Sequence, residues 1–242
     1  RVYEIAEESP LDFAPLLSSK LKKKIFLKRE DKQKTFSFKI RGAYNKMANL
    51  SENQTLNGVI TASAGNHAQG VSLAAKKLQI KSTIVMPQTT PTVKVDAVKE
   101  LGSKIILFGD SYTEAYEHAI KLSKDFEITF IHPFDDEDVI AGQGTIGMEI
   151  LRQSSKKLSA VFVAIGGGGL ISGVGAFIKS LKPSVKIIGV QIEDSDAMKQ
   201  SIDQKKRIIL KKVGLFSDGT AVKQVGKKTF RLSKEVIDEI VV

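Results

Sequence analysis

The segment 161–175, VFVAIGGGGLISGVG, constrains this chain more than any other stretch. Its β-branched opening reads as a buried strand over 161–165, and the residues after the glycines as a helix of small and apolar side chains. Between them, Gly166, Gly167, Gly168 and Gly169 remove every Cβ from the turn. Backbone N–H groups can then close around an anion, and the helix N-terminus adds unpaired donors and the positive end of its dipole. Strand, glycine turn and helix in that order predict a phosphate cradle rather than a linker. A dinucleotide is disfavoured as the guest, because the fingerprint needs a third glycine. The sixth residue is Ile171 counting from Gly166 and Ser172 counting from Gly167, and no Walker lysine follows; only Glu193 suits that reading.

The rest of the chain repeats the rhythm of that segment. Strands are predicted at 25–28, 58–61, 82–86, 104–108, 128–131 and 185–192. Helices are predicted from about 37, over 68–78, from Pro91 to Gly102, from Ser111, over 138–152, from the glycine turn to 180, and over 233–240. Ser111 and Glu114 have the spacing of a capping box. Strands alternating with helices of about ten residues imply βαβ units and a parallel sheet covered on both faces. The class is therefore α/β, with a strand order that pattern does not give. Glycines 142, 144 and 147 inside one helix predict that another element packs closely on its backbone. The region 213–230 is loop-rich, with a second glycine turn at Asp218-Gly219.

Composition narrows the partners. The net charge of +10 suggests nucleic acid, but the lysines are spread through amphipathic segments, and the runs at 22–24, 205–207 and 211–212 lack interleaved aromatics. A solvated basic surface is the expectation, with no nucleic-acid partner. No apolar run approaches the ~20 residues that cross a bilayer, so no membrane partner is expected, and the opening RVYEIAEESP is not a signal peptide. The absence of cysteine excludes disulfides and thiolate metal sites and suits a cytoplasmic protein. His67, His118 and His132 lack metal-ligand spacing, and His118 is expected to be solvated on a polar helix face. The chain begins with Arg1 and stops where a strand should start after the last helix, so it is expected to be part of something longer.

Two more corners carry chemistry. In TASAGNHA (61–68) small residues turn a strand into a helix, leaving N–H groups that suit a carboxylate. The alternative, equally open from the residues, is that Ser63 or Asn66 merely caps the helix. In SFKIRG (37–42) Lys39 lies in a helix's first turn, where the dipole and nearby cations would lower its pKa and free a nucleophilic amine. Spacing alone does not distinguish Lys39 from the many exposed lysines.

Taken in order, SFKIRGA, TASAGNHAQG, VIAGQGT (139–145) and GGGGL resemble the fold type II pyridoxal-phosphate enzymes over essentially the whole chain. Val213-Gly214-Leu215-Phe216, Gly219, Ala221-Val222-Lys223 and Thr229-Phe230-Arg231-Leu232 are similar to the biosynthetic threonine dehydratases within that family. The resemblance implies two open, twisted α/β domains with mostly parallel sheets and the cofactor between them. Residues 56–134 would form a smaller domain inserted into a larger one made of 1–55 and 135–242. It implies that Lys39 carries pyridoxal 5'-phosphate covalently, that Gly166, Gly167, Gly168, Gly169 and Leu170 hold its phosphate, and that Asn66 bonds its ring hydroxyl. The backbone of Ser63, Ala64, Gly65, Asn66 and His67 would hold the substrate carboxylate. The implied reaction is α,β-elimination of threonine, and of serine, to 2-oxobutanoate or pyruvate and ammonia, the first step from threonine to isoleucine. A homotetramer or dimer is implied as well. Serine racemase and cysteine synthase-like enzymes are the alternatives in the fold, and a non-catalytic metabolite-binding protein the alternative outside it. The family's C-terminal serine, which partners the pyridine nitrogen, and the isoleucine-binding domain have no counterpart here. If the molecule ended at Val242, weak cofactor binding and low activity would be expected. Glu193 matches the first acid of the racemases' divalent-metal site, but Lys199 stands at the second, so no metal is expected.

Overall fold

A computed structural model describes residues 1–154, 158–214 and 216–242; Leu215 of the dehydratase-like stretch lies outside them. The chain opens with a small antiparallel pair, β1 (Leu11–Phe13) and β2 (Phe26–Lys28), around helix α1 (Pro15–Leu21). Helices α2 (Lys39–Met47) and α3 (Glu52–Thr55) lead into the first large sheet. That sheet runs β3 (Val59–Ala62), α4 (Asn66–Leu78), β4 (Ser82–Met86), α5 (Thr92–Glu100), β5 (Lys104–Leu107), α6 (Tyr112–Asp125) and β6 (Thr129–Phe130). Its strands are all parallel, in the order β5-β4-β3-β6. Helix α7 (Glu137–Gln153) crosses to β7 (Ala160–Ala164), followed by α8 (Gly169–Leu181), β8 (Lys186–Val190), α9 (Ala197–Asp203), α10 (Lys227–Val236) and β9 (Glu239–Val241). The second sheet is also parallel, in the order β7-β8-β9.

The first sheet is covered on both faces, as the alternation implied. Val59, Ile84 and Met86 pack with α4 into one cluster, while Ile60, Ala62 and Val85 turn the other way onto Ala115 and Ala119 of α6. The period-two alternation of a strand divides each strand's residues between the two cores. The second sheet departs from the expectation. Only Val163 and Ile165 of the 161–165 run are buried, and Phe162 is 64% exposed, because the described residues bury one face of β7, an edge strand.

Local signals placed most helices. The capping box at Ser111 and Glu114 is present, and a second forms at Ser51 and Gln54. The C-terminal region is a correction: the helix expected over 233–240 lies at Lys227–Val236, and Ile240 pairs with Gly189 in β9. Its start comes from a distant residue, since the Asp135 carboxylate accepts from the backbone N–H groups of Lys227, Lys228 and Thr229. A β-branched end, Val236-Ile237 and Ile240 to Val242, then favours strand over helix. His118 is also corrected, being half-buried and stacked on Phe108 at 3.8 Å between ring centroids.

Glycines bring α2, α7 and α8 to backbone contact. A Cβ on Gly142 would lie 2.6 Å from the Arg41 carbonyl oxygen, and one on Gly147 would lie 3.0 Å from that of Val174. The element expected to approach α7 is thus two helices, one on either side. A buried ion network clamps α2 further. Arg41 and Glu149 are fully buried and paired at 2.5 Å, and Arg41 also reaches Glu30 at 2.7 Å. Lys28 binds the other Glu149 oxygen at 2.5 Å, and the Tyr3 hydroxyl donates to Glu149 at 2.6 Å. The charges are mutually compensated, as buried charges must be.

Candidate active site

Two strand–turn–helix corners and one lysine define the site. The first corner follows β3, whose end carries Ser63, Ala64, Gly65, Asn66 and His67. Gly65 is the N-cap of α4 and no side chain caps the helix. The Ser63 hydroxyl instead accepts from the Gly65 N–H at 3.2 Å. The capping alternative for Ser63 and Asn66 is therefore set aside, and the first N–H groups of α4 are left without a helical or side-chain acceptor. The corner is roomy: a Cβ on Gly65 would meet nothing within 4 Å, and Asn66 is exposed. The His67 imidazole points inward, with Nε2 3.0 Å from the Ile131 carbonyl oxygen. Burial, with Lys39 a lesser cause, lowers its pKa to about 3, so the ring is neutral.

The second corner is the glycine loop. Gly168, at φ +94°, is the N-cap of α8, again with no side-chain cap. That φ lies in the left-handed region, where a Cβ is costly. Here the loop is crowded. A Cβ on Gly167 would collide with the Phe134 ring, and one on Gly169 would lie 3.0 Å from the Cβ of Phe134. The Thr229 hydroxyl donates to the Gly167 carbonyl at 2.6 Å. Gly166 faces the backbone of Thr220, whose Cα would be 3.1 Å from an added Cβ, while Gly219 opens on space.

Lys39 connects the corners. Its Nζ donates to the Pro133 carbonyl at 2.8 Å, next to the Phe134 that fills the glycine loop. From the other side the Cβ site of Gly70 on α4 lies 3.0 Å from the Lys39 carbonyl carbon. Burial lowers the amine's pKa to about 8. The lowering was expected, and burial is its cause. Sequence reasoning missed Pro133, Phe134, Asp135 and Thr229; the HPFD run after β6 lacked any marker beyond its proline.

A family model described as "Pyridoxal-phosphate dependent enzyme" matches residues 3–242. This chain belongs to the pyridoxal-phosphate-dependent enzyme family. It is 56% identical over 244 residues to the biosynthetic L-threonine dehydratase IlvA of Burkholderia multivorans, covering 100% of this chain and 48% of that protein. The solved structure of processed threonine deaminase isoform 2 from Solanum lycopersicum superposes with a TM-score of 0.97 at 51% identity, covering 99% of this chain and 66% of that one. Maize serine racemase superposes with a TM-score of 0.95 at 33% identity, covering 100% of this chain and 73% of that one. The chain spans about half or less of the length of the curated relatives it matches. With these structures the fold is the fold type II architecture.

The residues present fit the family's cofactor. An aldehyde needs a neutral amine, and Lys39 supplies one near pH 8. A phosphate needs unpaired N–H donors, and the first turn of α8 offers them without a competing side chain. Lys199 pairs with Asp203 on its own helix at 2.5 Å. Among the described residues no group of three or more His, Asp or Glu is close enough together to hold a metal. Nor, among them, is any helix long and apolar enough to cross a membrane.

Proposed function

We propose that this chain is the cofactor-binding part of a threonine dehydratase that converts threonine, and serine, to the 2-oxo acid and ammonia. The observation that carries the reading is the part-buried Lys39 amine, bonded to the Pro133 carbonyl next to the Phe134 that packs on the glycine loop, in a fold where two helix N-termini have no side-chain cap. The identity above 50% to biosynthetic threonine dehydratases favours that reaction over racemisation, for which the likeness falls to 33%. Lys39 would hold the cofactor, and its free Nζ would take the α-proton. Gly166, Gly167, Gly168, Gly169 and Leu170 bind the phosphate through backbone N–H groups. The backbone from Ser63 to His67 binds the substrate carboxylate, and Asn66 orients the cofactor ring through its hydroxyl. Bound pyridoxal phosphate supplies the electron sink that makes the α-carbon acidic.

In the same reading, 56–134 is a smaller domain and 1–55 with 135–242 a larger one, the site lying between their sheets. Ile40, Ala43, Tyr44 and Met47 of α2 share a core with Val71 and Ala75 of α4, so the two would be tightly seated at that edge. We further read the protein as a cytoplasmic homo-oligomer, dimer or tetramer, on the absence of cysteine and the family pattern.

The test is chemical. Purified protein should be yellow, and borohydride should fix the cofactor on Lys39, located by peptide mass. Threonine should be turned over faster than serine, with 2-oxobutanoate as product. Protein that stays colourless with added pyridoxal phosphate would overturn the enzyme reading; racemised serine without 2-oxo acid would replace it by the racemase.

A further inference from the structure

The turn after β6 joins three parts of the site, and a histidine folds it. His132 Nδ1 accepts from the backbone N–H of Phe134 at 3.2 Å and of Asp135 at 2.8 Å. This is the bond pattern by which an Asn or Asp side chain shapes a turn two and three residues ahead. Everything the turn then presents is used. The Pro133 carbonyl takes the Lys39 amine. The Phe134 ring fills the Cβ site of Gly167, and the Cβ and backbone of Phe134 close on that of Gly169. The Asp135 carboxylate starts α10, which in turn returns Thr229 to the Gly167 carbonyl. Tyr116, Phe130 and Phe134 pack edge-on around the imidazole. The charged or titratable groups that act on it are Lys39, His67, Asp135 and Asp136.

We infer that His132 is a positioning residue: its Nδ1, kept free of a proton, folds the turn that holds the Lys39 amine and seats Phe134 on the glycine loop. A ring protonated at Nδ1 has no lone pair for the two N–H groups, so the turn needs the neutral tautomer with the proton on Nε2. Burial favours that form, holding the histidine near 4. The role reaches the reaction only through Pro133 and Phe134, and His132 itself touches no reacting atom. Without the turn, the Lys39 amine loses its acceptor and regains water.

The inference rests on Lys39 being the cofactor lysine, so the experiment reads Lys39 with and without cofactor. In the full-length protein freed of cofactor, trace acetylation with acetic anhydride, followed by peptide mass, gives the pH midpoint of the Lys39 amine. Wild type should titrate near 8. His132→Asn places an acceptor oxygen where Nδ1 was and should keep that midpoint. His132→Gln mimics Nε2 instead and should move it towards the ordinary lysine value of 10.5 as water returns, lowering Lys39 labelling at pH 8 several-fold. With pyridoxal phosphate added, the bound absorbance band should saturate at higher cofactor concentration in His132→Gln than in His132→Asn. Equal midpoints in the Gln and wild-type proteins would overturn the inference, as would an Asn variant that behaves like Gln or fails to fold. Borohydride that fixes no cofactor on Lys39 of wild type would sink the functional reading while leaving the midpoint comparison intact.

Discussion

The two corners look alike in sequence and differ in what their glycines are for. Both turn a strand into a helix that no side chain caps. At the first, Gly65 faces open space. At the second, Phe134 occupies the side of the loop where Gly167 and Gly169 lack a Cβ, and Met198 and Thr229 close on Gly168. Small residues at the first corner leave room for a guest, whereas those at the second admit the protein's own side chains as well. A glycine-rich turn therefore cannot be read as ligand space alone, since part of its emptiness is already taken.

Substitutions can break this contrast. The largest effect should come from Lys39→Ala, which removes the amine proposed to hold the cofactor: turnover of threonine should fall by at least about a thousand-fold, with no cofactor fixed by borohydride. Retained turnover would mean that the corners serve some other group. Acid should come next, through the first corner. Between the ordinary histidine value of 6.5 and about 3, the unfolded chain binds a proton at His67 that the folded chain refuses. Stability is thus full above pH 6.5 and falls as pH drops below it, by up to a few kcal/mol. His67→Leu should flatten that slope in urea titrations at several pH values. In the second corner, Gly167→Ala should cost about 2 kcal/mol, seen as a fall of roughly 5 °C in Tm, because its Cβ meets the Phe134 ring. Pairing it with Phe134→Ala should recover part of the loss, a coupling absent if the two do not touch. Gly65→Ala should be the mildest, within about 0.5 kcal/mol of wild type, with a several-fold higher KM for threonine and little change in kcat. A Tm shift as large as that of Gly167→Ala would erase the distinction between the corners.

How far the sequence revealed this depends on the separation of the partners. Signals contained in a few residues were legible: the capping box at Ser111, the strand at 82–86, the glycine turn before α8. Lys39 was visible as a candidate, but it emerged from the other lysines only through the family's motif order. The misplaced C-terminal helix shows the limit. Its N-terminal acceptor is Asp135, more than 90 residues away in sequence, so no local pattern could mark where it begins. Phe134 was silent for the same reason. An aromatic residue in a turn says nothing until the glycines it fills are brought to it by the crossing of α7.

The ion network under α2 bears on how such a sequence can drift. Arg41 and Lys28 balance Glu30 and Glu149, so losing a partner of the fully buried Arg41 or Glu149 leaves charge there less compensated, at up to about 3–5 kcal/mol. Paired replacements by apolar residues of similar volume would be close to neutral. Lineages should therefore alter these positions together or leave them alone, so that the floor beneath α2 changes in jumps while the surface around it changes one residue at a time.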